Sequence, residues 1–333
     1  MGLKKKFQQP AGFQWGSFKN KQAASIRYGF IKPKQKQKGT LVLGPGYGEP
    51  IEKFFETIRD LTKEGYAVWA IDWRGQGGSD PAYKDEPQKP YGAKDFIDHN
   101  MNDLKYFSEK IVKKNENEPL IYMGFSLGGH IGLRFLKEHE GVFDSAILNA
   151  PMIDFETGAL PRISASLLSK FMMVSNSHKQ YIHGGSDWYI DKDKFDENGK
   201  TSDPERHKVQ HDYYLNNEKL RVGSQTFEWI YHADQSIKKL TAEAYLKSIK
   251  TPIKLITPTA DRIVSVAAQQ RAAKLLPNVD VLEISDARHE ISMEHNKYRT
   301  PWFKAVKSFL ATQLKKKPSS KPKIKKCRNP SKH

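Results

Sequence analysis

From about residue 40 onward, short apolar runs alternate with longer stretches whose apolar residues recur at helical spacing. Thr40 to Leu43, Ala67 to Asp72, Pro119 to Met123, Ser145 to Asn149, Ile253 to Ile256 and Val281 to Ile284 read as buried strands. Between them, Ile51 to Lys63 carries Phe54, Phe55, Ile58 and Leu61 on one helical face, and Asn102 to Val112 carries Leu104, Phe107 and Ile111. Further helices are expected from Leu127, over Val264 to Leu276 and over Pro301 to Leu314, the last with Thr300 and Pro301 as N-cap and first-turn residue. Ser25 to Lys32 is expected as an antiparallel strand at the sheet edge. Such alternation predicts an α/β fold, a mainly parallel central sheet flanked by helices.

The alternation breaks over residues 152–235. That segment opens with an apolar stretch, Ala159 to Val174, followed by a polar loop and then by Tyr213, Tyr214, Phe227, Trp229 and Tyr231. An insertion after a central strand, at the carboxyl edge where ligands of parallel sheets bind, predicts a mostly helical cap. Leu160, Leu167, Phe171 and Met172 are its candidate substrate-contacting residues, lining an acyl pocket or an entrance for lipid. The expected organisation is a basic extension over 1–24, a core over 25–151 and 236–314, the cap over 152–235, and a disordered basic tail over 315–333.

Charge sharpens that division. The chain of 333 residues has a formal net charge of +17. Residues 1–40 hold 10 Lys/Arg, residues 315–333 hold 9, and neither end has an acidic residue; the body balances 36 basic against 38 acidic. Basicity therefore belongs to the ends, where it suits peripheral contact with an anionic membrane rather than specific nucleic-acid binding. No run reaches the length of a membrane span, no apolar signal region follows Met1 to Lys6, and Cys327 is the lone cysteine. These features suggest a cytoplasmic location, free or peripheral at the inner membrane face.

The chemistry centres on Gly124-Phe125-Ser126-Leu127-Gly128, a G-x-S-x-G turn between a strand-like and a helix-like run. Such a turn exposes a serine hydroxyl at the strand's end, making Ser126 a candidate nucleophile. Downstream, Asp261 follows the strand at 253–256 and His289 follows the strand at 281–284, both on the sheet edge of Ser126. His289 would be the general base and Asp261 its orienting acid, with Asp286 as the competing acid. Leu127 and Tyr47, the latter in the glycine-rich loop Gly44 to Glu49, are the candidate backbone N–H donors to an oxyanion. His130, His99, His207 and His211 read as surface or packing residues, and no His/Cys/Asp spacing suggests a metal.

Four segments together resemble the α/β-hydrolases of the lysophospholipase L2 and monoacylglycerol lipase group, which is serine aminopeptidase S33-like. They are Pro45 to Glu49, Asp72 to Ser79, Gly124 to Gly129, and Ala287 to Ile291. Arg221-Val222-Gly223 is also similar to the bacterial lysophospholipases, and Pro45-Gly46 stands where the monoacylglycerol lipases carry His-Gly. The resemblance covers roughly residues 25–315. It implies the α/β-hydrolase fold, no cofactor, and cleavage of carboxylic esters with one acyl chain, such as lysophospholipid or monoacylglycerol. It assigns Ser126, Asp261 and His289 as the triad, with Tyr47 and Leu127 as oxyanion donors. A short-chain esterase, a peptidase of the same fold, and a non-catalytic binding protein on this scaffold remain open alternatives.

Overall fold

The computed structural model of the chain describes residues 2–116, 119–156, 162–174 (side chains from 166), 177–191, 194–195 and 199–315. Among these, eight strands form one sheet in the order β1-β2-β4-β3-β5-β6-β7-β8. The strands are β1 (Gln14–Lys19), β2 (Ser25–Ile31), β3 (Gly39–Gly44), β4 (Tyr66–Ile71), β5 (Leu120–Phe125), β6 (Ser145–Asn149), β7 (Ile253–Pro258) and β8 (Val279–Ile284). Every residue of β3 to β7 is buried, which explains why they read as continuous apolar runs and not as alternating ones. The first two strands run antiparallel to their neighbours and the rest pair in parallel.

Helices cover both faces. On one lie α1 (Phe55–Lys63) and α10 (Asn296–Lys315), whose Phe55, Ile58, Trp302 and Phe309 pack against Leu41, Val68 and Ile121. On the other lie α2 (Phe96–Tyr106), α4 (Leu127–Glu138) and α9 (Val266–Leu275), packed on Val42, Trp69 and Tyr122. The short α3 (Lys113–Asn115) follows a π-helical turn, Phe107–Val112, that continues α2. Between β6 and β7 come α5 (Arg162–Val174), α6 (Pro204–Asn216), α7 (Phe227–Leu240) and α8 (Glu243–Lys247). Good N-caps start two of them: Asp203 accepts from the N–H of Glu205 and Arg206 ahead of Pro204, and Thr226 accepts from Trp229.

The structure corrects the sequence reading at both ends. The sheet begins before residue 25, because Gln14 to Lys19 pairs along its whole length with β2 and forms the edge itself. Upstream of it, Phe7 is buried against Val209 and Met293, and Lys4 and Lys6 form ion pairs with Glu205 of α6. The N-terminal basic segment is thus a docked part of the fold, held by apolar contact as well as charge. At the other end α10 starts at Asn296, so Thr300 is no N-cap and Pro301 lies inside the helix. The N–H of Arg299 donates to the His295 carbonyl at 2.9 Å, closing a turn ahead of the proline. The expected basic tail lies outside the described residues, apart from Lys315.

Register sets the functional edge. Gly44 pairs with Gly124, Phe125 with Asn149, Asn149 with Ile256, and Pro258 with Ile284. The carboxyl ends of five adjacent parallel strands therefore finish level, and the loops that follow them share one rim.

Candidate active site

Ser126 occupies the turn between β5 and α4 with φ +48° and ψ −112°, a backbone conformation rare for a residue with a side chain. Three hydrogen bonds hold it there. Its N–H donates to the Asn149 carbonyl at 3.0 Å, and its carbonyl accepts from His130 at 3.1 Å and Met152 at 3.0 Å. Strain fixed by surrounding structure is a feature of functional turns. The flanking glycines are required by close approach. A Cβ on Gly124 would stand 2.7 Å from the Gly128 carbonyl oxygen, and one on Gly128 would stand 2.1 Å from the carbonyl oxygen of Gly44. The first turn of α4 thus rests directly on the loop after β3.

That loop, Pro45 to Pro50, is tied down on each side of one residue. The N–H of Gly46 donates to Glu49 Oε2 at 2.6 Å, and the N–H of Gly48 donates to Gln76 Oε1. Trp73 Nε1 donates to the Pro45 carbonyl at 2.7 Å, and Gln210 Nε2 and Tyr214 Oη both donate to the Gly48 carbonyl. Among the described residues, the N–H of Tyr47 between them donates to no protein acceptor, and neither does that of Leu127 at the start of α4. The Tyr47 side chain points elsewhere: its hydroxyl donates to the Gly223 carbonyl at 3.0 Å, and its ring packs edge-on against Trp229. The segment Arg221-Val222-Gly223 therefore anchors Tyr47.

Asp261 and His289 meet across the loops after β7 and β8. His289 Nδ1 lies 2.6 Å from Asp261 Oδ2, while Asp261 Oδ1 accepts from the N–H of Ile263 at 2.8 Å and Val264 at 3.0 Å. The carboxylate is fully buried and the imidazole nearly so. Burial favours the neutral imidazole, but the facing Asp261 outweighs it, with Glu290 and Glu49 adding to the effect, and the His289 pKa rises above its ordinary value. With Nδ1 committed to Asp261, Nε2 is the nitrogen left to take a proton. Asp286, the competing acid, is exposed in a left-handed turn with φ +60°, its N–H bonded to Thr259 Oγ1.

Other sequence candidates fall differently. His130 is fully buried on α4, with Nδ1 2.8 Å from the Met152 carbonyl and Nε2 2.7 Å from Ser236 Oγ, and burial pushes its pKa down to about 3. Of the candidate cap contacts, Leu160 lies outside the described residues. Leu167 and Phe171 are 62% and 65% exposed on α5, and Met172 is half-buried. A cavity of about 260 Å³ opens beside Tyr47 and Gly48, lined by Trp188, Gln210, Tyr214 and Gly223. Sequence reading missed the ties of the loop after β3: Glu49, Lys53, Trp73, Gln76, Gln210 and Tyr214. Of these, Glu49 lay in the singled-out segment Pro45 to Glu49, and Trp73 and Gln76 lay in the segment Asp72 to Ser79. There Asp72 accepts from the N–H of Ile51 at 3.1 Å and of Gly78 at 3.0 Å, shaping both loops at once. Among the described residues no helix is long and apolar enough to cross a membrane.

A strained serine at a strand–helix turn, in a parallel sheet with an acid–imidazole pair on the same rim, defines a serine hydrolase of the α/β-hydrolase fold, an enzyme of carboxylic-ester hydrolysis. The family model described as "Serine aminopeptidase, S33" matches residues 35–296, and the chain belongs to that family. It is 25% identical over 285 residues to the probable lysophospholipase L2 of Haemophilus influenzae, covering 85% of this chain and 87% of that protein. It is 26% identical over 281 residues to the lysophospholipase L2 of Escherichia coli, covering 81% and 79%. Among solved structures, a soluble variant of the monoglyceride lipase of Saccharomyces cerevisiae, in complex with a substrate analog, superposes with a TM-score of 0.73 at 21% identity, covering 94% of this chain and 99% of that one.

Proposed function

We propose that Ser126, His289 and Asp261 carry ester cleavage through an acyl-enzyme, with the N–H groups of Tyr47 and Leu127 as oxyanion donors. The observation that carries this reading is the buried 2.6 Å contact of Asp261 with His289 Nδ1 on the rim where the strained Ser126 turn opens. His289 Nε2 takes the Ser126 hydroxyl proton as Oγ adds to the ester carbonyl. Asp261 holds the tautomer and balances the imidazolium that forms. The negative oxygen of the tetrahedral intermediate is received by the Tyr47 and Leu127 N–H groups, which donate to no acceptor among the described residues. Collapse expels the alcohol, which takes the proton from His289, and water then repeats the sequence to free the acid.

The substrate class we propose is a single-chain lipid ester, lysophospholipid or monoacylglycerol. Its support is the lysophospholipases and the monoglyceride lipase to which the chain is similar, together with the apolar surface of α5. Leu167, Leu168, Phe171 and Val174 are all exposed there, as an interfacial helix would present them. Peripheral contact with an anionic membrane through this helix and the basic ends belongs to the same reading. A second reading, peptide hydrolysis, is favoured by the family's description. Steady-state kinetics on an acyl series from acetyl to palmitoyl, in glyceryl and lysophospholipid form, beside aminoacyl anilides, tests the choice. Rates rising with chain length support the lipid reading; equal rates on acetyl and long-chain esters, or faster cleavage of the anilides, sink it.

A further inference from the structure

Lys53 lies among Ile51, Phe54 and Phe55, yet its ammonium is buried between Glu49, four residues back, and groups from two distant parts of the chain. Nζ lies 2.6 Å from Glu49 Oε1, 2.6 Å from Glu290 Oε1 and 3.0 Å from Gln210 Oε1 on α6. Each carboxylate leads to the site. Glu49 reaches the N–H of Gly46 with its other oxygen, and so governs the peptide just ahead of Tyr47. Glu290 is the neighbour of His289 in sequence, and its own N–H is bonded to the Lys200 carbonyl at 2.8 Å. The cluster holds one ammonium against two carboxylates, in a place with little water to screen them.

We propose that Lys53 is a positioning residue for the ester-cleaving site: by clamping Glu49 to Glu290 it sets the loop that presents the Tyr47 N–H and compensates the negative charge that His289 faces. The inference rests on the serine-hydrolase reading above. The charged groups around His289 come from every element packed near it. Asp261 stands on the loop after β7, Glu290 on its own loop, Glu49 on the loop after β3, and Lys53 on the helical turn before α1, while Lys200 of the insertion acts on Glu290. Burial alone would lower the Lys53 pKa, but Glu290 and Glu49 outweigh it and hold the ammonium charged. Burial likewise favours a neutral Glu290, and Lys53 and Lys200 overcome it. Removing Lys53 leaves two carboxylates beside the imidazole, which stabilises its protonated form and delays the neutral base to higher pH. Removing the Glu290 charge does the opposite.

The test is the pH dependence of fluorophosphonate labelling, with kcat and KM measured on a soluble p-nitrophenyl ester. For Lys53→Met the acid limb is expected to move up by about 0.5 pH unit or more, because Glu49 and Glu290 then act on His289 without their counter-charge. Its kcat should fall about tenfold through a loosened oxyanion donor, with KM changing less. Lys53→Arg should restore most of the rate, and Glu290→Gln should move the acid limb down. If Lys53→Met does not fold, the direction of the Glu290→Gln limb decides. Acid limbs that stay at the wild-type position in the variants that fold overturn the proposal. A wild-type protein that takes no label at all overturns the serine-hydrolase reading, and this inference with it.

Discussion

Gly128→Ala isolates the packing of α4 against the loop after β3. An added Cβ would stand 2.1 Å from the Gly44 carbonyl oxygen and 2.5 Å from that of Pro45. Ordinary contact begins near 3.4 Å, so one backbone segment must move by about 1.3 Å relative to the other. Neither can yield by a side-chain rotation, because both obstacles are main-chain atoms. The loop is also pinned by Trp73, Gln76 and Glu49, so the displacement strains those ties or drags Tyr47 out of place. An oxyanion donor works within a window of about 2.7–3.1 Å, and loss of one such donor costs about 10²–10³ in kcat, or roughly 3–4 kcal/mol. Overpacking adds a stability loss of about 1–3 kcal/mol. The variant should therefore keep its fold, melt several degrees lower and lose about two orders of magnitude in kcat. Gly39→Ala, at the start of the strand β3 that ends at Gly44, is the control, since its Cβ would meet nothing closer than 3.4 Å. Calorimetry and p-nitrophenyl ester kinetics read both effects. A Gly128→Ala protein with kcat and melting temperature close to wild type would refute the claim that this contact sets the oxyanion geometry.

Three further outcomes are expected. Asp261→Asn should lower kcat by about 10⁴, the loss typical of a triad acid, while Asp286→Asn, on an exposed turn, should leave it nearly unchanged; the reverse order would reassign the acid. Because the folded-state pKa of His289 is raised and the reaction needs the neutral imidazole, activity should rise with pH through a midpoint above the ordinary value of 6.5. An acid limb below that value in steady-state kcat/KM would contradict the Asp261 pairing. A Leu167→Ser/Phe171→Ser double variant should bind phosphatidylglycerol vesicles more weakly in a sedimentation assay and hydrolyse a soluble short-chain ester at the wild-type rate, whereas unchanged vesicle binding would remove α5 from the membrane contact.

The sheet was legible because its central strands are buried on both faces. The predicted strand Ser145 to Asn149 matches β6 residue for residue, and the other central strands shift by one or two residues at their ends. The edge strand β1 was not legible. Gln14 to Lys19 has one face exposed and holds only Trp15 and Phe18 as large apolar residues, so no period-two signal stands out. The start of α10 was obscured by Pro301, which reads as a first-turn residue although it is accommodated within the helix. That Asp261 and His289 share a rim could be read from sequence, because each follows a strand of a parallel sheet and strand order brings such loops together. Lys53 could not. A lysine among apolar residues reads as a side chain reaching for water, and its partner Glu290 lies more than two hundred residues away. His130 reads as a surface or packing residue and the structure buries it, but its contacts were illegible for the same reason. Its partners, the Met152 carbonyl and Ser236, are brought to it only when the segment after β6 folds over α4.

The most direct test of the central claim is to map the site of covalent modification by an active-site-directed fluorophosphonate using peptide mass spectrometry. The wild-type protein should carry one adduct, on Ser126. The adduct should be absent from Ser126→Ala and form far more slowly in His289→Ala. A wild-type protein that takes no label, or a Ser126→Ala protein labelled as fast as wild type, would contradict the account.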